Sequence, residues 1–249
     1  MRADLQVITP DWSAPTRIRA AFTLRSGGVS AAPYDSLNLG TGIGDSPQAV
    51  AENRRRIAER LALPSEPVWL EQVHGTSVVE IGRDASLVGD ASVTRVSGRV
   101  CAIRVADCLP VLFAARDGSA VGAAHGGWRG LAGGVLETTI ARLGISPRQL
   151  IAWMGPAIGP RNFEVGDDVR DAFLARDAGT ASAFTANARG RWQCDLYSLA
   201  RHQLRELGVS AVSGGGWCTF AERDRFFSYR RDGQCGRMAA LVWIDPERT

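Results

Sequence analysis

The chain has 249 residues, of which 45% are hydrophobic and 22% are charged, and this composition is typical of a globular protein with a substantial core. All 29 basic side chains are arginine, which excludes chemistry that requires a lysine, such as a Schiff base, a pyridoxal-phosphate linkage or a P-loop. The net charge is only +3, and every apolar run is far shorter than the roughly 18 residues of a membrane span. These features give no support to a nucleic-acid or membrane role.

Cysteine usage and the first residues bear on the cellular compartment. The five cysteines are odd in number and contain no CxxC pair, which favours a reducing compartment over a disulfide framework. The first twelve residues, MRADLQVITPDW, lack the apolar stretch of a secretory signal. We therefore expect a cytoplasmic protein.

The predicted elements of the first half begin with a helix that Ser46 caps and Pro47 opens. Three consecutive arginines, 54–56, lie off its apolar stripe, and we expect them on a solvated face. Strand-like runs follow at 67–70, 77–81, 100–105, 109–115 and 121–125. A helix with an apolar face from 131 to 143 comes next and stops at Gly144.

The second half contains similar elements in a less regular order. The patterns predict a strand at 151–154, helices at 167–176 and 195–207, and two final strands at 226–230 and 237–244 that form a hairpin. Strands with interspersed helices and hairpins favour a single domain over residues 1–249. The expected fold class is mixed α/β (α+β), a layered fold with a mixed β-sheet and flanking helices.

Three short segments each place a metal-ligating side chain at the end of a strand or in the loop after it. They are QVHG with His74, ADCLP with Cys108, and HGGWRG with His125. Two imidazoles and one thiolate suit zinc, and three protein ligands leave a position open as in a catalytic site. Each residue alone also fits a structural role, since a cysteine after a strand can be a small buried hydrophobe and a histidine beside glycine can fill a turn.

Other histidines and cysteines fit the site less well. Strand alternation can place Cys101 in a packed face, whereas Cys108 lies beyond the end of the same strand. His202 lies within a predicted helix, away from the glycine loops, and we interpret it as a structural or surface residue.

Glycine-rich turns provide two candidate substrate loops. The turn after His125 would expose backbone amides at the start of a helix, and Arg129 adds a forked cation, so the loop suits an anion. The alternative is that these glycines only allow tight packing between strand and helix. The segments 25–30 and 36–40, which contain Arg25 and Asn38, form a substrate loop or a simple turn.

These segments resemble a known family in order and over nearly the whole chain. The matching phrases are FTLRSGGVS (22–30), SLNLG (36–40), QVHG, ADCLPVLF, HGGWRG, MGPAIGPRNFEVG (154–166) and CTF…FFSYRRDG…GR (218–237). They resemble the YfiH-type family, also called the laccase-domain or peptidoglycan-editing-factor family and often labelled polyphenol oxidase. One departure is Gly126, where the resemblance implies alanine, and we expect it to loosen the loop without removing a ligand.

The resemblance implies a single-domain mixed α/β fold and a zinc ion held by His74, Cys108 and His125. It also implies phosphorolysis of adenosine, inosine, guanosine and methylthioadenosine, together with deamination of adenosine. The expected partners are therefore purine nucleosides and phosphate, without nucleic acid or membrane, and we expect a monomer or a weak homo-oligomer.

Roles for individual residues follow from this chemistry. Deamination needs a carboxyl group that transfers a proton, and Asp107 and Glu164 are the candidates. Phosphorolysis needs a cation that holds phosphate, for which Arg129 is the first choice and Arg25 and Arg230 are weaker ones.

Two other functions stay open at this point. A multicopper phenol oxidase needs on the order of ten imidazoles, more than three histidines supply, but a single copper site with Met154 as an axial ligand is compatible with the count. In a hydrolase that acts on peptidoglycan precursors, Cys108 would be the nucleophile and His125 its base.

Overall fold

The computed structural model describes residues 5–247. In chain order the strands are β1 (Val7–Ile8), β2 (Ile18–Thr23), β3 (Val68–Trp69), β4 (Val78–Glu80), β5 (Ala91–Thr94), β6 (Val100–Val105), β7 (Leu109–Ala115), β8 (Val121–Gly126), β9 (Leu150–Met154), β10 (Glu164–Val165), β11 (Phe184–Ala186), β12 (Trp192–Cys194), β13 (Ala211–Gly214) and β14 (Met238–Ile244). The α-helices are α1 (Pro47–Leu61), α2 (Trp128–Gly133), α3 (Val135–Leu143), α4 (Asp167–Leu174), α5 (Leu196–Glu206) and α6 (Tyr229–Asp232).

The strands within residues 5–247 form three sheets. A six-stranded sheet has the order β13-β9-β7-β8-β5-β4, a five-stranded sheet has the order β1-β2-β14-β6-β3, and β10-β12-β11 form a small third sheet. Both larger sheets are mixed, because β13–β9, β4–β5 and β3–β6 are parallel while the other pairs are antiparallel. The expected mixed α/β class is confirmed, with three sheets in place of one.

The two larger sheets pack face to face between layers of helices. Their shared core includes Phe22 and Ile103 from the five-stranded sheet and Leu112 from the six-stranded sheet. The outer face of the six-stranded sheet packs against α3, α4 and α5, whereas the outer face of the five-stranded sheet is covered by Ile57 of α1. Burial on both faces explains why β7 and β14 are apolar at every position. Within residues 5–247, no helix is long and apolar enough to cross a membrane.

Two predicted elements are wrong for identifiable local reasons. The single helix expected up to Gly144 is broken into α2 and α3, because Gly134 adopts a left-handed φ of 97° and its amide bonds to the carbonyls of Gly130 and Leu131. The expected strand at 226–230 does not form. Instead, Ser228 caps the short helix α6.

Gly126 does not loosen the chain as expected. It is buried at the end of β8, opposite Leu109. A Cβ atom at this position would lie 2.7 Å from the carbonyl oxygen of Leu109, so the absence of a side chain serves close packing of the strands.

Asn53 on α1 fixes the segment that leads from β2 to one wall of the site described below. Its side chain is fully buried; Nδ2 donates to Ser30 Oγ at 2.9 Å and to the Asn38 carbonyl at 2.9 Å. Its Oδ1 accepts from the Val29 amide at 2.8 Å. One side chain therefore supplies hydrogen bonds that backbone pairing would supply in a sheet.

The replacement Asn53→Ala should destabilise the protein by about 1–3 kcal/mol, because several buried polar groups lose their partner at once. Chemical denaturation measures this loss. Arg55→Ala is the control, since Arg55 lies on the exposed face of the same helix, and it should leave the midpoint nearly unchanged. Equal midpoints for the two variants would contradict the structural role of Asn53.

Candidate metal centre and adjoining cavity

The structure brings His74, Cys108 and His125 together, and we refer to these residues as the His–Cys–His cluster. Their ligand atoms all lie within 4.8 Å of one another, and the two imidazole rings are 4.8 Å apart at an angle of 71°. His74 lies in the loop after β3, Cys108 directly precedes β7, and His125 lies on β8 opposite Pro110. The expected convergence of the three segments is thus found, but between two sheets: His74 follows a strand of the five-stranded sheet, whereas His125 lies in the six-stranded sheet.

Electrostatics within the cluster favours a thiolate. Burial alone raises the pKa of Cys108, but the charge and hydrogen bonds of His125 and His74 outweigh burial and lower this pKa to about 6. Burial alone lowers the pKa of His125, but Cys108 and Asp90 outweigh it and raise this pKa to about 9. A thiolate and a neutral imidazole are ligands that zinc prefers, so the donor set fits such an ion, and binding of the ion would release the proton from Nε2 of His125.

Asp90 orients the cluster, although no local sequence signal marks it. This fully buried residue immediately before β5 accepts a hydrogen bond from Nδ1 of His125 at 2.8 Å, so Nε2 is the ring nitrogen available to a metal. Its carboxylate also accepts from the amides of Val73, His74 and Gly75 at 3.2, 2.9 and 2.6 Å. Burial opposes ionisation of Asp90, but the bonds from His125 and these amides keep its pKa below the ordinary value.

Two site residues have left-handed backbones that their contacts maintain. His74 has φ of 61°, and the Asp90 carboxylate holds the amides on both sides of it. Asp107 has φ of 88°, and its own carboxylate accepts from Thr219 Oγ1 at 2.6 Å and from the Arg230 amide at 2.7 Å. A buried carboxylate therefore fixes the chain on each side of the cluster.

A cavity of about 510 Å³ opens from the cluster. Beyond the cluster, its walls include Arg104 on β6, Arg237 before β14, Tyr229 on α6 and Gln72. Gln72 forms two hydrogen bonds of 2.9 Å with the backbone of Arg104 and so joins the ligand loop to β6. Sequence reasoning did not single out Arg104, Arg237 or Tyr229, because only tertiary structure brings them beside the cluster; Gln72 lies in the QVHG segment itself.

The predicted phosphate residue and the two weaker candidates lie outside the walls of this cavity. Arg129 is exposed and stacks on Trp128, with its guanidinium carbon 4.4 Å from the ring centroid. Arg25 lines a separate depression and donates to the carbonyls of Asp35 and Arg223. The Arg230 guanidinium donates to the backbone carbonyl of Glu164 at 2.9 Å and stacks on the ring of Phe163.

The remaining predicted residues also have structural partners. Asn38 is fully buried; its Nδ2 donates to Asp45 and its Oδ1 accepts from the amide of Arg237, the residue that forms part of the cavity wall. The Glu164 carboxylate pairs with Arg189, which together with the side-chain bond from Asn187 holds the pKa of Glu164 below its ordinary value.

The replacement Asp90→Asn should weaken metal binding about 10- to 100-fold, because the residue that bonds a ligating histidine fixes its tautomer and orientation. Competition between the protein and a chromogenic chelator for Zn²⁺ measures this affinity. Asp117→Asn, at an exposed turn far from the cluster, is the control. An unchanged affinity in folded Asp90→Asn would exclude the orienting role.

The chain is similar to known proteins over nearly its whole length. Residues 19–245 match the family described as multi-copper polyphenol oxidoreductase laccase. A Pseudomonas aeruginosa protein named purine nucleoside phosphorylase is 56% identical over 95% of this chain and 98% of the relative. The Escherichia coli purine nucleoside phosphorylase YfiH is 50% identical over 96% of this chain and 99% of the relative.

Solved structures agree with this relationship. The crystal structure of a Neisseria meningitidis protein matches with a TM-score of 0.92 and 49% identity, covering 96% of this chain and 99% of that one. A Bacillus licheniformis protein titled hypothetical protein YfiH matches with a TM-score of 0.86 and 31% identity, covering 92% and 93% of the two chains. The chain therefore belongs to the YfiH-type family, described as multi-copper polyphenol oxidoreductase laccase.

Proposed function

We propose that the protein is a zinc-dependent purine nucleoside phosphorylase that acts on adenosine, inosine, guanosine and methylthioadenosine and also deaminates adenosine. The observation that carries the proposal is the His–Cys–His cluster, which opens into a cavity of about 510 Å³ with an aromatic and cationic wall. Relatives at 56% and 50% identity are named purine nucleoside phosphorylase, which supports the reaction class.

The surroundings of the His–Cys–His cluster favour zinc over copper in this proposal. A copper site of two histidines and one cysteine takes a weak axial ligand, for which the sequence offers Met154. Met154 is instead fully buried in the core between the six-stranded sheet and its helices. The third histidine of the chain, His202, lies on α5 and bonds to Asp177, so it is not available for a further metal centre at the cavity. Three histidines so distributed do not build a multicopper site.

The chain's own residues would perform most of the binding. Bound zinc would supply Lewis-acid polarisation at the cluster end of the cavity. Tyr229, of which 60% is exposed, offers an aromatic face at the wall for a purine ring. Gln72 orients the ligand loop relative to β6, and the buried strands on either side keep this end of the cavity rigid.

One alternative has an observation of its own. The low pKa of Cys108 beside His125 is also the arrangement of a nucleophilic cysteine with its base, as in a hydrolase of peptidoglycan precursors. The two functions differ in what Cys108 does: it holds a metal in a phosphorylase and attacks substrate in a hydrolase.

We also propose a cytoplasmic location and a monomer or weak homo-oligomer, with purine nucleosides and phosphate as partners. Support for the location comes from the five cysteines, all of which the structure describes and all of which are free thiols.

Cys108→Ala should lose both bound metal and nucleoside activity, because it removes the thiolate of the cluster. The assay measures metal content and follows adenosine and inosine with and without phosphate; ribose 1-phosphate should form only with phosphate. Cys101→Ala is the matched control, since burial raises the pKa of that thiol to about 12 and its side chain packs in the core. It should keep metal and activity.

Each result points to one function. Wild-type protein with intact zinc that yields no ribose 1-phosphate would contradict phosphorolysis. A Cys108→Ala variant that keeps its metal but loses activity would favour the nucleophile.

In the deamination reaction we assign proton transfer to Asp107 because it directly precedes Cys108 in the chain; its carboxylate lies beside the cavity lining and accepts hydrogen bonds from Thr219 and the Arg230 amide, whereas Glu164 forms an ion pair with Arg189. Asp107→Asn should lower kcat for adenosine deamination by about 100-fold or more. An amide can keep both contacts of this side chain, since it can accept from the Arg230 amide and donate to Thr219. Metal content should therefore be unchanged. Full deaminase activity in the variant would leave Asp107 with a positioning role only.

A further inference from the structure

Two arginines stand side by side on the wall of the cavity. Arg104 on β6 lies directly opposite Ala239 on β14, and Arg237 is two residues before Ala239 on the same chain. Since side chains alternate along a strand, the two arginines share one face of the five-stranded sheet. It is the face that α1 covers, and at these residues it opens into the cavity.

Neither guanidinium pairs with a carboxylate among the described residues. Arg104 donates to the Leu70 carbonyl at 2.6 Å and to Thr41 Oγ1 at 3.1 Å. Arg237 donates to the carbonyls of Cys235 and Gly236 at 2.8 and 3.1 Å. These neutral acceptors fix the orientation of both side chains but leave both positive charges without a counter-ion.

A third arginine adds to the positive charge. Arg54 on α1 stacks over Trp69 with its guanidinium carbon 4.2 Å from the ring centroid, so it is not on the solvated face expected for the arginine run. Burial, and then the charge of Arg104, lower the pKa of Arg54 to about 10. Burial, and then the charge of Arg237, lower the pKa of Arg104 as well. At the cavity wall itself, Arg104 and Arg237 are two half-buried cations, and the charge of Arg237 acts on Arg104; such a pair is stabilised when an anion binds beside it.

We propose that Arg104 and Arg237 form the subsite for inorganic phosphate, the co-substrate of the phosphorolysis proposed above. The assignment rests on that proposed function. Two guanidinium groups match a doubly charged oxyanion with several acceptor oxygens better than a single carboxylate, and both project into the cavity that holds the His–Cys–His cluster. Arg129 stands outside this wall, stacked on Trp128.

The test replaces each arginine in the full-length zinc-loaded protein, as R104Q and R237Q. Each variant should raise KM for phosphate about 10- to 100-fold, the effect of losing a charged hydrogen-bond donor, while KM for inosine and the zinc content change little. R104K restores a cation without the fork and should recover part of the phosphate affinity. R148Q is the control, because Arg148 is exposed, lies just before the start of β9 and does not line the cavity.

Binding of inorganic phosphate to the protein without nucleoside, measured by calorimetry, separates this proposal from the proposed function. If the wild-type protein binds phosphate but catalyses no phosphorolysis, and R104Q and R237Q abolish this binding, the anion subsite is sustained and the proposed function is contradicted. Phosphorolysis with an unchanged KM for phosphate in both folded variants would overturn the subsite. So would a rise in KM for phosphate that appears in R129Q and not in R104Q or R237Q.

Discussion

The hydrogen bonds of the Asp90 carboxylate hold the His–Cys–His cluster together. His74 comes from the loop that follows a strand of the five-stranded sheet, whereas His125 lies within the six-stranded sheet. The buried Asp90 carboxylate accepts hydrogen bonds from three successive amides, 73–75, around His74 and from the ring of His125. A buried carboxylate is tolerated only when its oxygens are satisfied, so the two segments and the acid stabilise one another. Asp107 plays the equivalent part for the third ligand segment, which it ties to Thr219 and to the amide of Arg230.

How much the sequence predicts depends on how local the signal is. The His–Cys–His cluster could be found because each ligand lies in a short glycine- or proline-flanked segment at a strand end, and strand ends converge. Asp90 could not, since its bond to His125 spans 35 residues and nothing beside it marks a site. A local rule that links glycine loops to anions points to Arg129. The orientation of its side chain, which stacks on Trp128, depends on packing that a local rule does not include.

The same distinction explains the errors in secondary structure. The buried pair Phe226 and Phe227 has the apolar character of a strand, but both are fully buried outside a sheet, and Ser228 then caps a helix. The class of fold was predictable because it depends on the number and type of many elements. The division of the strands into two packed sheets was not, because it depends on which strands pair, and β14 at the end of the chain pairs with β2 near its start.

The absence of lysine becomes informative at the cavity wall. A cation placed among other cations and partly removed from water loses proton affinity, as the fall of the Arg54 pKa to about 10 illustrates. A guanidinium in that environment is still fully charged at neutral pH. An ammonium group has a lower ordinary pKa, about 10.4, so the same environment would bring its pKa closer to neutral pH than that of a guanidinium. A crowded cationic wall that must keep its charge while the subsite is empty can therefore be built from arginine, whereas a lysine in its place would lose its charge at a lower pH.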